Sequence, residues 1–215
     1  MIIHSLINFI FPPHCPLCDV RQDEFELCDD CDAAIVKIES DYNAPHLMRR
    51  WFDRAESLFA YDGDLAHAIH KFKYEAALYL VTFFVKELTD RVSMRDYDLI
   101  IPVPLYKRRL FSRGYNPAAE LAKKLGKRID TKVDLHLLKR VIKGKQQVGL
   151  HVKERLENQK GLYAVDDNSL DKLSGRNILL IDDVLTTGAT VNECAKVLKK
   201  GGAKQVDLIT LARTC

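Results

Sequence analysis

The chain has 215 residues, 47% of them apolar and 29% charged, with a formal net charge of +3. That is the ordinary balance of a globular protein, with core enough for one medium domain and a small appendage or for two small domains. A charge this small does not by itself imply a nucleic-acid partner, so local clusters carry that question. The opening stretch from Met1 to Phe11 is apolar, but His4, Ser5 and Asn8 interrupt it. It has neither a basic start nor a small-residue cleavage site, so it reads as a short helix laid on the body rather than a leader. No segment supplies the roughly 20 apolar residues that a bilayer span needs.

Residues 12 to about 45 are acidic, punctuated by Pro and Cys, and poor in periodicity. Cys15 and Cys18 form one CxxC pair and Cys28 and Cys31 another, with nine residues between the pairs. Two knuckles of this kind offer four thiolates to one tetrahedral ion, zinc in the first place, with iron in a rubredoxin-like site as the alternative. With all four ligands from the protein the site is expected to be structural, and its metal is worth on the order of 10–16 kcal/mol to a segment with little core. A thiol-redox pair is disfavoured because the pairs are matched and no thioredoxin-like βαβ pattern adjoins them. Cys194 and Cys215 have no evident partner, so a reducing cytoplasm is the expected location.

Residues 51 to 95 read as helical. Leu65, Ile69 and Phe72 fall on one helical face, and Leu80, Phe83, Phe84 and Leu88 on another. From Tyr97 the pattern becomes α/β. Asp98 to Pro104 reads as a buried strand opening into a loop, Pro117 to Lys124 as a helix stopped by Gly126. The polar, basic connection from 141 to 160 reads as functional or mobile. Asn177 to Asp182 reads as a strand apolar on both faces, Thr190 to Lys200 as a helix closed by Gly201 and Gly202, and Val206 to Ala212 as the next strand. Together these make a βαβ unit.

The strand at 177–182 ends in two carboxylates, Asp182 and Asp183, and runs through Val184, Leu185, Thr186, Thr187, Gly188 and Ala189 to Thr190. Ligands of open α/β sheets sit at the carboxyl ends of strands, and free amides at a helix start attract anions. A bare phosphate would be repelled by the two acids. A sugar phosphate would not, because its hydroxyls donate to carboxylates while its phosphate sits on the amides. A divalent cation between the acids and further phosphates fits the same arrangement. A plain N-capped helix would need only one threonine, and the absence of any GxxxxGK[ST] run argues against a P-loop ATPase.

Those 13 residues, Ile178 to Thr190, resemble the motif by which type I phosphoribosyltransferases bind 5-phosphoribosyl-1-pyrophosphate (PRPP). The resemblance implies that Asp182 and Asp183 hold the ribose 2′ and 3′ hydroxyls and that Leu185, Thr186, Thr187, Gly188, Ala189 and Thr190 hold the 5′-phosphate. The pyrophosphate then needs positive charge elsewhere. Lys107, Arg108, Arg109 and Arg113, four cations within seven residues of the loop after the first buried strand, suit phosphate oxygens. A solvated basic surface is the plainer alternative. A second basic stretch from Lys139 to Arg155 suits a lid or a nucleic-acid contact. Lys73 and Tyr74 either line this site or belong to a packed helix face.

Pro102-Val103-Pro104, the Arg108-Arg109 pair and Arg113-Gly114-Tyr115-Asn116, followed by Gln147, Leu150, Arg155 and Asn158, resemble the signature of the ComF/GntX family. Tyr115 stands where that family usually has Phe, and Pro117 where it has Gln. The resemblance implies a type I phosphoribosyltransferase fold, a mainly parallel sheet flanked by helices, behind an N-terminal zinc-ribbon-like module of four cysteines. The expected division is a zinc module at 1–45, a joining helical segment at 46–95 and the phosphoribosyltransferase-like domain at 96–215. The resemblance also implies a link to natural transformation. Two roles follow: transfer of ribose-5-phosphate from PRPP, with magnesium, to an acceptor, or non-enzymatic DNA uptake through PRPP, single-stranded DNA and a helicase partner.

Overall fold

A computed structural model describes residues 13–24, 26–42, 47, 49–141 and 161–214. The apolar opening stretch, Cys215 and the expected lid residues Gln147 and Arg155 lie outside the described residues. In chain order the elements are α1 (Asp29–Ala34), β1 (Arg54–Ala60), α2 (Gly63–Tyr74), α3 (Leu80–Val92), β2 (Leu99–Pro102), α4 (Lys107–Arg113), α5 (Pro117–Arg128), β3 (Leu138–Arg140), β4 (Tyr163–Val165), β5 (Asn177–Leu185), α6 (Ala189–Lys200) and β6 (Gln205–Arg213).

Strands β1, β6, β5 and β2 form, in that order, one sheet in which every pairing is parallel. β5 is central and apolar on both sides, as such a position demands. Its odd residues Leu179 and Ile181 join a core with Ile69, Phe72, Phe84, Leu88, Leu121 and Leu125 from α2, α3 and α5. Its even residues Ile178 and Leu180 join a second core with Val191, Cys194 and Leu198 from α6 and Leu138 and Tyr163 from the β3–β4 hairpin. Because strand side chains alternate, Asp182 continues the α6 face and Asp183 the α2 face.

Three local readings change. Residues 54–60 form a strand where the pattern suggested helix; Ala, Glu and Leu in this run favour helix, and pairing along β6 overrides them. Lys107 to Arg113 form a short helix rather than a loop. Gly126 lies inside α5 instead of ending it. A β-carbon there would lie 2.3 Å from Val133 Cγ2 and 2.8 Å from the Thr131 carbonyl oxygen, so only glycine lets the returning chain cross this closely.

Both edges of the sheet are covered. Along β1, Ile38 donates its amide to the Leu58 carbonyl, Ala60 donates to Val36 and Tyr42 to Ala55. Along β2, Ile100 donates to Lys132 and accepts from Asp134. The cysteine module packs onto the α2 face through Cys15, Leu17, Cys28 and Cys31. Among the described residues no helix is long and apolar enough to cross a membrane.

Candidate functional site

The four cysteine sulfurs lie within 4.8 Å of one another, and Cys18 Sγ is 3.6 Å from Cys28 Sγ. Four thiolates on a tetrahedral zinc, with bonds of about 2.3 Å, sit about 3.8 Å apart, so the cluster fits the ion. The first knuckle is a tight turn in which Asp19 donates its amide to the Cys15 carbonyl and Cys15 to Val20. The second opens α1, whose N-cap is Cys28. Burial raises the Cys15 thiol, but hydrogen bonds from the backbone of Cys18, Cys28 and Leu17 outweigh it and bring the thiol down to about 7. Such a sulfur is already inclined to the thiolate form that a metal requires. His14 is not part of the cluster; it forms a backbone bridge with Arg21.

At the carboxyl end of β5 the two acids diverge. Asp183 is 9% exposed, and its Oδ1 lies 2.8 Å from the Lys73 ammonium on the last turn of α2. Asp182 turns to the other face, and one of its oxygens accepts the Asp183 amide at 2.9 Å. Burial, then the adjacent Asp183, pushes the Asp182 carboxyl up to about 7, against the pull of that hydrogen bond and of the charges on Lys73 and Arg113.

The turn that follows is held from outside. Gly188, at φ 69°, is the N-cap of α6 and, being glycine, brings no side chain to the cap. Thr186 is exposed, and Thr187 Oγ1 accepts the Ala189 amide at 3.4 Å. Tyr42 donates its hydroxyl to the Thr186 carbonyl at 3.4 Å, and its ring would lie 3.2 Å from a β-carbon on Gly188. Asn192 fixes the first turns of α6, accepting from the Trp51 amide and donating to the Arg49 carbonyl. Neither Tyr42 nor the 49–51 stretch bears a motif, and only the fold brings them here.

The segment after β2 brings further positive charge toward the acids. Arg113 stands 4.3 Å from the ring centroid of Tyr74, the neighbour of Lys73. Lys107, Arg108 and Arg109 are exposed on α4, no residue of which is buried. The Arg113–Asn116 run has a physical account. Gly114 ends α4 in the left-handed conformation, Tyr115 packs on Phe72, and Asn116 caps α5 while donating to the Val103 carbonyl. Pro117 sits in the first turn of α5, a place proline suits. Of the two residues weighed between this site and a packed helix face, Lys73 contacts Asp183, whereas Tyr74 is exposed and meets His70 and Arg113.

Comparison with known proteins finds these features elsewhere. Residues 110–214 match the family model of the phosphoribosyl transferase domain, and residues 6–42 match the double zinc ribbon domain. The chain is 29% identical to competence protein F of Haemophilus influenzae over 211 residues, 93% of this chain and 90% of that protein. It is 29% identical to competence protein ComFC of Bacillus subtilis over 204 residues, 93% of this chain and 78% of that one. It is 33% identical over 117 residues to the DNA utilization protein YhgH of Escherichia coli O6:H1, covering 54% of this chain and 50% of that protein. With a phosphoribosyl transferase domain behind a double zinc ribbon, the chain is similar over most of its length to the competence proteins F and ComFC.

Proposed function

We propose that the carboxyl end of β5 binds PRPP with magnesium and that the protein transfers its ribose-5-phosphate to an acceptor, releasing pyrophosphate. One observation carries this reading: an acid pair, Asp183 of it buried, lies on the same turn as a helix start whose N-cap is a glycine. Asp182 and Asp183 accept the ribose hydroxyls. The turn from Leu185 to Thr190 takes the 5′-phosphate on amides and hydroxyls. Arg113 faces the departing pyrophosphate, with Lys107, Arg108 and Arg109 supplying a wider positive field. An ammonium already stands on Asp183, so this carboxylate is placed to hold a cation. Magnesium bound by the acids and the ligand's phosphates would neutralise charge as pyrophosphate leaves. Calorimetry of PRPP with magnesium is the direct test. Binding that Asp183→Asn abolishes is expected; undiminished binding in that variant removes the site.

A second reading has its own observation. On α4, Phe111 is 91% exposed beside Lys107, Arg108 and Arg109, and Tyr74 and Tyr79 are exposed as well. Aromatic faces among cations suit single-stranded DNA, whose bases stack while its phosphates are neutralised. On this reading the protein acts in DNA uptake, as its competence relatives are named, alongside a helicase partner and without turnover. The reading requires that Phe111→Ala weaken oligonucleotide binding and that neutralising Arg108 and Arg109 flatten its salt dependence.

A further inference from the structure

Lys73 reaches the acid pair from an element outside the stretch that carries the phosphoribosyl motif. It follows Phe72, which is fully buried, so the packed inner face of α2 fixes its position. Lysine stems usually carry their charge to water. This one turns inward, and its side chain is 15% exposed against 12% for that of Asp183. Arg113, the other cation facing the acids, lies over Tyr74. The chain itself therefore supplies positive charge to Asp183, the carboxylate that a ribose hydroxyl or a divalent cation would use.

We propose that Lys73 is the resident counter-cation of the acid pair and a positioning residue for the ligand. It occupies Asp183 while the site is free, and its ammonium passes to the pyrophosphate oxygens when the carboxylate takes the ribose and the metal. This rests on the phosphoribosyl reading of the site. Two consequences follow. The ammonium competes with a bare divalent cation for Asp183, so metal alone binds weakly. PRPP offers the displaced ammonium a new anionic partner, so ligand and metal together bind well.

Manganese(II), followed by the paramagnetic resonance of its free aqua ion, is the probe, with the full-length protein and its Lys73→Met and Lys73→Arg variants. An opposite charge at this range changes a carboxylate's affinity for a proton by about 10- to 1000-fold. Lys73→Met is therefore expected to tighten manganese binding without PRPP by about tenfold or more. The same variant should weaken PRPP binding in the presence of manganese by about 10- to 100-fold, the loss of one charge-assisted hydrogen bond. Lys73→Arg should stay near wild type in both, and it keeps the test open if the methionine variant folds poorly. Unchanged manganese affinity in Lys73→Met, with a wild-type melting profile, overturns the counter-cation role. Tighter manganese with unchanged PRPP affinity overturns the transfer to pyrophosphate. A failure of the phosphoribosyl reading shows separately, as PRPP binding that survives Asp183→Asn.

Discussion

The four-cysteine module and the β5–α6 turn, where the phosphoribosyl site is proposed, are held in shape by different means. In the module four side chains within 17 residues converge on one point, and among its described residues little else is buried beyond Pro16, Leu17 and Ile38. Metal binding and folding are then one event. At the turn, a parallel sheet packed on both faces holds Asp182, Asp183 and Gly188 in place. The first site depends on its ion for shape; the second is shaped by the packed sheet, and a ligand there would stabilise it only by mass action.

The sharpest way to break that contrast is at Cys31. Cys31→Ser removes one of four thiolates, and most of the roughly 10–16 kcal/mol of metal binding should go with it. Metal analysis should fall from about one zinc per chain to near zero, protease should cut within residues 13–34, and the sheet should still unfold cooperatively. Loss of the sheet in the same transition would show that the module is no separate folding unit.

The turn should instead respond to pH. Asp182 has its proton affinity raised by burial, so the native state binds a proton that the unfolded chain has given up by about pH 4. The stability owed to that bound proton is present in full below about pH 4 and lost as pH rises through about 7. Asp182→Asn should be free of this loss, so denaturant titrations should show it gaining on wild type across that window. Parallel curves for the two proteins would mean that Asp182 is not held as described.

Tyr42 links the two regions and carries the smallest expected effect. Tyr42→Phe removes its hydrogen bond to the Thr186 carbonyl, worth about 0.5–1.5 kcal/mol. Its ring still packs on Gly188. A shift in unfolding free energy within that range, with zinc content unchanged, places Tyr42 as a brace of the turn. No shift at all would leave it a surface contact.

These tests follow the line between what the sequence disclosed and what it hid. The cysteine spacing identified the metal cluster because its ligands are neighbours in the chain. The acids and threonines of the turn were legible for the same reason. Lys73 lies 110 residues before Asp183, so periodicity left it undecided between a packed helix face and the site. Tyr42 lay in a stretch without pattern. β1 was hidden because residues that favour helix were drawn into a sheet by a partner more than 150 residues on. Gly126 misled because a glycine that permits close crossing resembles one that ends a helix.

The two ribbons of chain that flank the sheet have a meaning for the protein's fate outside the folded state. An open parallel sheet ends in rows of unsatisfied amides and carbonyls, ready templates for a neighbouring molecule. Here residues 36–42 occupy one such row and residues 132–134 the other. The first of these begins two residues after α1, which the metal cluster initiates. Zinc-starved protein would thus betray itself as precipitate, self-associating along β1, before any change in ligand affinity was noticed.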